Sequence, residues 1–378
     1  MPAAERWIAA ATAAVVLAGL GVAVASVGDG GSKPAARVAV ATAPTPSPRV
    51  TPVPTPTPSL RPKPRPAPKK AAAPLYALPA PPAYPTGCPP RPRPPGPPFH
   101  PPTPAVPTAK LPAPVAVPRT RHVDLHAISG KGMWLTTWPD STVDLAKVVR
   151  QARAAGLTQL WIRTGGTKQG WYGAKFLTPL LPLAHAAGLS VIAWDFPALS
   201  DPVADAKRAV AAITGTFAGQ RIDGFSPDIE TIYEGTFNAP RRVALYLSLV
   251  RRAAGNLPIV ATVMRPTPYQ LQTYPYRAES PYVDVFAPMV YWSCSEPGTL
   301  AIQSVRVLAK LRPVHLIGQS YDMGPDGGRR GMPSGREIWR FLDAGKRAGA
   351  IGASLYVYNE TRTAQWTALG AYPWRSVR

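Results

Sequence analysis

Three polar side chains alternate with apolar ones in the segment Ile222–Glu230, namely Ser226, Asp228 and Glu230. Successive side chains of an extended strand point to opposite faces, so these three share one face. Two carboxylates two residues apart on a strand lie about 6.6 Å apart, close enough for one to raise the pKa of the other. A carboxylic acid kept neutral in this way can act as a general acid at neutral pH. The segment therefore predicts an acid pair suited to proton transfer.

The strand that carries this acid pair is one of eight predicted after residue 120. Short apolar runs alternate there with amphipathic stretches. The predicted strands are Gly132–Trp138, Gln159–Thr164, Ser190–Asp195, Gly224–Glu230, Ile259–Arg265, Val283–Trp292, Val314–Ser320 and Gly352–Asn359. Helical patterns lie between them, for example Val143–Ala155, Pro202–Phe217, Arg241–Ala254, Leu300–Leu311 and Arg336–Ala348. Ala-Gly steps at 155–156, 187–188 and 348–349 indicate helix ends that lead into the next strand.

Eight strand–helix units over the 258 residues 121–378 match the usual size of a closed barrel. We therefore predict the α/β class and a (β/α)₈ TIM barrel for residues 121–378. An open doubly wound sheet fits the alternation too, but no phosphate-cradling glycine-rich turn follows the first predicted strand. The active site of such a barrel lies at the C-terminal ends of its strands, so the polar face of Ile222–Glu230 is expected to face the lumen.

Two motifs on these strands resemble those of a known enzyme family. The stretch Asp223–Glu230 resembles the DGxDxDxE motif of family 18 glycoside hydrolases, the chitinase-like barrels, and Met289–Trp292 is similar to that family's M-x-Y-D. Ser226 stands at the position of the middle Asp, and Trp292 at that of the last Asp. Barrels of the family 25 lysozyme type also carry a D-x-E on a comparable strand.

The resemblance implies a role for each matching residue. Glu230 would protonate the glycosidic oxygen, Asp228 would orient the 2-acetamido group of the substrate, and Tyr291 would support the acetamido carbonyl. Asp223 would be a buried structural acid. The implied activity is hydrolysis of a polysaccharide, one with N-acetylated amino sugars such as chitin or peptidoglycan glycan. The alternative is a non-catalytic glycan-binding barrel, in which the substituted motif has lost turnover.

Further side chains near the predicted strand ends are candidates for substrate contact. Aromatic rings there are suited to stacking on sugars: Trp134, Trp138, Trp194, Trp292, Tyr321 and Tyr358. We predict substrate contacts by Trp138, Asp195, Trp292, Gln319, Asp322 and Tyr358. The two aspartates in this set have a second interpretation, as partners in salt bridges to strand-end bases. No HxH or HExxH pair and no cysteine pair at metal-ligand spacing occurs, so no metal and no cofactor is expected.

The net charge of +22 is shared between two parts of the chain. Residues 28–120 contain 12 Lys and Arg against one Asp, and residues 121–378 contain 29 against 18 acids. No zinc-finger spacing, basic heptad or aromatic-basic motif accompanies this charge, so nucleic acid is not an expected partner. The basic excess in residues 28–120 predicts contact with anionic wall polymers instead.

The N-terminal third predicts export and a tether. Residues 7–27 form an uncharged apolar run long enough to span a hydrocarbon core of about 30 Å. Arg6 precedes the run, so residues 1–6 are expected to be a cytoplasmic tip and the barrel to lie outside a single-pass membrane anchor. The alternative is a cleaved signal that ends near Ala23–Ala25, which would give a secreted protein. Residues 28–120 are rich in proline and predict a disordered, extended spacer.

The two cysteines lie far apart, Cys88 in the predicted spacer and Cys294 in the predicted barrel. Two cysteines are too few for a disulfide scaffold. We expect unpaired thiols. The alternative, in an exported chain, is a bond that pins the spacer beside the barrel.

Overall fold

The computed structural model describes residue 88 and residues 103–118, 122–326 and 328–374. The strands are β1 (Gly130–Leu135), β2 (Gln159–Gly166), β3 (Gly170–Trp171), β4 (Ser190–Phe196), β5 (Gly224–Pro227), β6 (Val260–Val263), β7 (Val285–Val290), β8 (His315–Gln319) and β9 (Gly352–Tyr356). The helices are α1 (Leu145–Ala154), α2 (Ala174–Ala186), α3 (Pro202–Thr214), α4 (Pro240–Ala254), α5 (Gln270–Thr273), α6 (Tyr276–Glu279), α7 (Pro297–Leu308), α8 (Gly335–Arg347) and α9 (Thr363–Ala371). Short 3₁₀ turns lie at Thr108–Lys110, His126–Ile128 and Gly324–Asp326.

Eight of these strands form a parallel barrel in the order β5-β4-β2-β1-β9-β8-β7-β6. Bridges from Phe225 to Ile259 and from Asp228 to Thr262 join β5 to β6, the two ends of this path. The remaining strand, β3, pairs antiparallel with β2 outside the ring. Each predicted strand overlaps one barrel strand, and the predicted (β/α)₈ barrel is confirmed.

The predicted anchor lies outside the described residues, as do residues 28–87 and 89–102 of the predicted spacer. Within the part of the chain that the structure describes, no helix combines the length and the apolar character needed to cross a membrane.

The helix boundaries follow from local capping signals in the sequence. The Asp201 side chain accepts hydrogen bonds from the backbone N–H groups of Val203 and Ala204, at 3.0 and 3.1 Å, and Pro202 occupies the first turn of α3. The predicted glycine stops are also present. Gly188 and Gly349 have φ angles of +71° and +98°, a conformation that glycine adopts without steric penalty.

The lower lumen of the barrel is filled by aromatic side chains. Trp134 stacks on Trp161 with ring centroids 4.6 Å apart, and its indole N–H donates to Ser354 Oγ at 2.7 Å. His315 lies beneath them, with its two ring nitrogens bonded to Ile128 O and Ser354 Oγ. Burial lowers the pKa of His315 to about 4, so this imidazole is neutral at physiological pH. Because this layer is packed, ligand access is confined to the C-terminal ends of the strands.

A proline-rich segment outside the predicted barrel boundary also packs on the barrel. This N-terminal strap (residues 103–118) lies against α4, where Arg242 donates to Val106 O and Arg241 donates to Leu111 O, the latter at 2.6 Å. Leu111 is buried. An extended proline-rich chain has carbonyl groups without internal partners, and the arginines of α4 supply donors for them. The ordered part of the chain therefore begins before residue 121.

The structure pairs the two cysteines, which corrects the expectation of unpaired thiols. Cys88 and Cys294 form a disulfide whose Cα atoms are 5.9 Å apart. Cys294 follows β7 and is buried, so the bond attaches the proline-rich region at the mouth end of the barrel. Sequence spacing did not reveal this pairing because 205 residues separate the two positions, and only the fold brings them together.

Candidate active site

The acid pair lies at the C-terminal end of β5, where strand geometry sets its direction. Ser226, in the lumen below the pair, donates to Val260 O at 2.7 Å and lies 2.9 Å from Thr262 Oγ1. The Asp228 amide donates to the backbone carbonyl of Asp195 at 2.9 Å, which fixes the chain between β4 and β6. Asp228 is buried, and Glu230 is half-buried at the mouth. The structure thus places both carboxyl groups on the lumen side, as the alternation predicts.

Burial shifts the pKa values of both carboxyl groups of the pair upward, which favours a protonated pair. Burial raises the pKa of Asp228 to about 7. Burial raises the pKa of Glu230 well above its usual range, and the charges of Asp228 and Glu234 raise it further. The nearby guanidinium of Arg163 opposes both shifts. Because the two acids interact, they titrate as a pair, and a proton remains on the pair at neutral pH. This is the state that general acid catalysis requires.

A third acid, Glu234, lies close to the pair and was not among the predicted site residues. Its carboxylate accepts hydrogen bonds from the Thr231 amide at 3.1 Å and from the Thr231 hydroxyl. The sequence signal for it is a Thr-x-x-Glu step directly after the motif. Within the described residues, no group of three or more His, Cys, Asp or Glu side chains is arranged to hold a metal ion.

Three tyrosines form the wall opposite the acids. Tyr291, Tyr321 and Tyr356 pack against one another with ring centroids 5.6 to 6.0 Å apart. The Thr136 hydroxyl donates to Tyr356 Oη at 3.1 Å. Burial raises the pKa of Tyr291 well above its usual range, and the charges of the other tyrosines and of the acid pair add to this effect. These phenols therefore stay neutral and are suited to donate hydrogen bonds to a bound carbonyl.

Arg163 completes the mouth on the β2 side. Its guanidinium carbon lies 4.0 Å from the centre of the Trp138 ring and 5.4 Å from that of Trp194. The predicted sugar-stacking residue Trp138 is half-buried at this rim, so one face of its ring is covered by Arg163. Arg163 was not among the predicted site residues.

Two predicted substrate contacts point away from the lumen. Asp195 is 1% exposed and pairs with Arg208 of α3 at 2.9 Å, behind the barrel wall. Trp292 is 1% exposed and packs on Phe341 of α8, with ring centroids 5.3 Å apart. The reason is strand alternation, since each follows a residue that faces the lumen. Both assignments are corrected here: Asp195 is part of a buried ion pair and Trp292 is part of the core.

The remaining predicted residues have structural contacts. Gln319 faces the lumen but accepts from the Ser293 amide at 3.0 Å, which holds the loop after β7. Asp322 accepts from two backbone amides of its own loop, at 2.7 and 2.8 Å. Tyr358 lines a separate surface depression of about 520 Å³ with residues of α1 and α9. Asp223 directly precedes β5 and is half-buried, not buried as predicted; it pairs with His185 Nε2 at 2.8 Å and accepts from the Val191 amide at 2.7 Å.

The raised pKa of Asp228 predicts how stability depends on pH. The unfolded chain releases this proton near pH 4, and the folded chain retains it until about pH 7, so the folded state loses stability as the pH rises through that window. Asparagine does not titrate. We expect the stability of Asp228→Asn relative to the parent to grow by up to about 4 kcal/mol between pH 4 and pH 7.

Urea unfolding at both pH values measures this difference. Asp343→Asn is the control, since Asp343 forms an exposed i,i+4 pair with Arg347, and its effect should stay within about 0.5 kcal/mol. If the free energies of unfolding of Asp228→Asn and the parent differ by the same amount at both pH values, the raised pKa of Asp228 is contradicted.

Comparisons with known structures identify the architecture but not a family. No family model matches the sequence, and no curated protein matches it. A Bacteroides thetaiotaomicron VPI-5482 protein provisionally assigned as an α-L-fucosidase is 13% identical, with a TM-score of 0.50 over 70% of this chain and 96% of its own. This chain shares the (β/α)₈ barrel fold of that protein. A chitinase from Chromobacterium violaceum ATCC 12472 is 12% identical over 64% of this chain and 98% of its own, with a TM-score of 0.49. The spore cortex-lytic enzyme SleL of Bacillus megaterium QM B1551 is 12% identical over 64% of this chain and 73% of its own, with a TM-score of 0.48.

Proposed function

We propose that the barrel is a glycoside hydrolase that cleaves a polysaccharide containing N-acetylated amino sugars. The observation that carries the proposal is the acid pair Asp228 and Glu230 at the C-terminal end of β5, which retains a proton at neutral pH, with the neutral phenol of Tyr291 nearby. Cleavage of an acetal between sugars requires a proton donor for the leaving oxygen, and the aromatic rings near the pair are suited to stacking on sugars.

In the proposed reaction, Glu230 donates its proton to the glycosidic oxygen as the bond from that oxygen to C1 breaks. The carbonyl oxygen of the 2-acetamido group attacks C1 and forms a cyclic oxazolinium intermediate. Asp228 Oδ1 has no hydrogen-bond partner among the described residues and is available to accept from the acetamido N–H. Water then opens the ring at C1, with the Glu230 carboxylate taking its proton.

A glycan-binding barrel without turnover is the second candidate. The observation that favours it is Ser226, which replaces a carboxylate of the resembled motif and bonds downward to Val260 O and Thr262. Asp228 therefore has no acidic neighbour beneath it on the strand to share its proton.

Incubation of the full chain with chitin oligosaccharides, peptidoglycan glycan strands and de-N-acetylated chitosan tests the proposal. A glycosidase assisted by the acetamido group should release reducing ends from the first two and not from chitosan. Binding without release of reducing ends would favour the binder. Equal cleavage of chitosan would exclude the acetamido mechanism.

We also propose that residues 7–27 anchor the chain in the cell membrane, with the barrel outside and the basic spacer in contact with anionic wall polymers. The uncharged apolar run after Arg6 supports this topology, and the Cys88–Cys294 disulfide is typical of an oxidising compartment. The chain should therefore sediment with membranes, and protease added to intact cells should release the barrel. A soluble exported form that begins near Ser26 would instead make the segment a cleaved signal.

A further inference from the structure

Arg163, a buried arginine at the mouth, forms no ion pair with any residue that the structure describes. It is 6% exposed. Its side chain makes two long hydrogen bonds, from Nε to Gly165 O at 3.4 Å and from Nη2 to Gln169 Oε1 at 3.5 Å. A guanidinium removed from water without strong acceptors is unfavourable unless a counter-charge is supplied.

The other buried arginines of the barrel show what a satisfied guanidinium looks like in this protein. Arg242 forms no ion pair with a described residue, but its guanidinium donates to Leu199 O at 2.9 Å, to Ser200 O at 3.2 Å and to Val106 O. Arg251 pairs with Asp284 and donates to the carbonyl groups of Gly255 and Leu257. Among the buried arginines of the described residues, Arg163 is therefore the one whose guanidinium makes only long hydrogen bonds, and it lies beside the acid pair.

The position of Arg163 limits what can satisfy it. Its guanidinium stacks on the face of Trp138, which restricts its orientation and leaves the N–H groups at its edge for hydrogen bonding. Its charge acts on both Asp228 and Glu230, so it lies next to the place where a sugar would react. A planar fork of N–H donors matches a carboxylate, which accepts two parallel hydrogen bonds. The barrel region also carries 29 basic residues against 18 acids, which attracts a polyanion.

We propose that Arg163 binds a carboxylate group on the glycan substrate, at the sugar that lies between Trp138 and the acid pair, and so selects acidic N-acetylated glycans over neutral ones. The inference rests on the proposed glycosidase function and names its substrate class. Two kinds of sugar supply such a carboxylate next to an N-acetylated residue, a lactyl ether as in peptidoglycan strands and a uronic acid as in hyaluronan.

Binding measured on the full-length Glu230→Gln chain separates this inference from turnover. The ligands are a neutral chitin oligosaccharide, a hyaluronan oligosaccharide, peptide-free peptidoglycan strands, and the same strands with their carboxylates converted to methylamides. We expect an acidic ligand to bind about 10- to 100-fold more tightly than its neutral counterpart, as for a charge-assisted bidentate pair. Whichever of the two acidic ligands shows the preference identifies the source of the carboxylate.

Adding Arg163→Gln should remove the preference, and Arg163→Lys should restore part of it. Arg252→Gln is the control for net charge, because Arg252 is exposed at the end of α4, and it should leave the preference unchanged. If the chain with Arg163 intact binds the methylamide strands as tightly as the acidic strands, the inference is wrong. This comparison uses no Arg163 variant, so it does not depend on whether such a variant folds.

An equal loss of affinity for neutral and acidic ligands in Arg163→Gln would also overturn the proposed carboxylate site, since Arg163 would then act only on the acid pair. Absence of turnover in the parent, with the acidic preference intact, would reject the glycosidase and keep the carboxylate site.

Discussion

Glu230→Gln is expected to lower turnover by about 10²- to 10⁴-fold, the usual contribution of a positioned general acid. The amide keeps the shape of the side chain but has no proton of suitable acidity to transfer to the glycosidic oxygen. Affinity for the glycan should stay within a few fold, because the aromatic wall and Asp228 are untouched. Reducing-end release at saturating substrate, with calorimetric binding to the same glycan, measures the two effects separately.

Glu234→Gln is the matched control for this variant. Glu234 raises the pKa of Glu230 through its charge, and its own carboxylate is engaged by the amide and hydroxyl of Thr231. Its removal should reduce turnover by less than about tenfold and move the alkaline loss of activity to lower pH, since Glu230 then releases its proton more easily. Turnover that survives Glu230→Gln but is lost in Glu234→Gln would show that Glu234 is the acid.

Trp292→Ala is expected to destabilise the barrel by about 3 to 5 kcal/mol, the usual loss for removing a buried aromatic side chain. Trp292 is 1% exposed and packs on Phe341, so the substitution leaves a cavity between the barrel wall and α8. For a domain of this size the corresponding fall in Tm is on the order of 10 °C. Glycan affinity of the folded protein should not change, because the side chain lies outside the lumen.

Two other tryptophans give the contrast. Trp339 is 40% exposed on α8, and Trp339→Ala should lower the stability by no more than about 1 kcal/mol. Trp138→Ala should weaken glycan binding, because its ring lies at the mouth beside Arg163. Thermal unfolding and glycan binding of the three variants provide the measurement. A Trp292→Ala protein with an unchanged Tm and weakened glycan binding would return Trp292 to the site.

The alternation of side chains along a strand predicts both which residues face the lumen and which face the helices outside the barrel wall. It placed Asp228 and Glu230 together in the lumen, where the structure has them. The same rule separates Tyr291 from Trp292, and Trp194 from Asp195, because adjacent strand residues face opposite sides of the wall. Trp292 and Asp195 were assigned to substrate contact from their residue types and their place near the predicted strand ends. Their position one step out of phase with the lumen-facing residues already indicated the helix side of the wall.

Local patterns in the sequence predicted the eight barrel strands, several glycine helix stops and the acid pair at the end of β5. Those features depend on patterns within a few residues, namely hydrophobic period, capping and strand alternation. Three contacts became visible only in the folded chain: Arg163 stacks on Trp138 beside the acids, Cys88 bonds to Cys294, and the N-terminal strap packs on α4. These contacts join residues that are distant in the chain or on different strands. No pattern within a few residues predicts these contacts, because they form only when the folded barrel brings distant parts of the chain together.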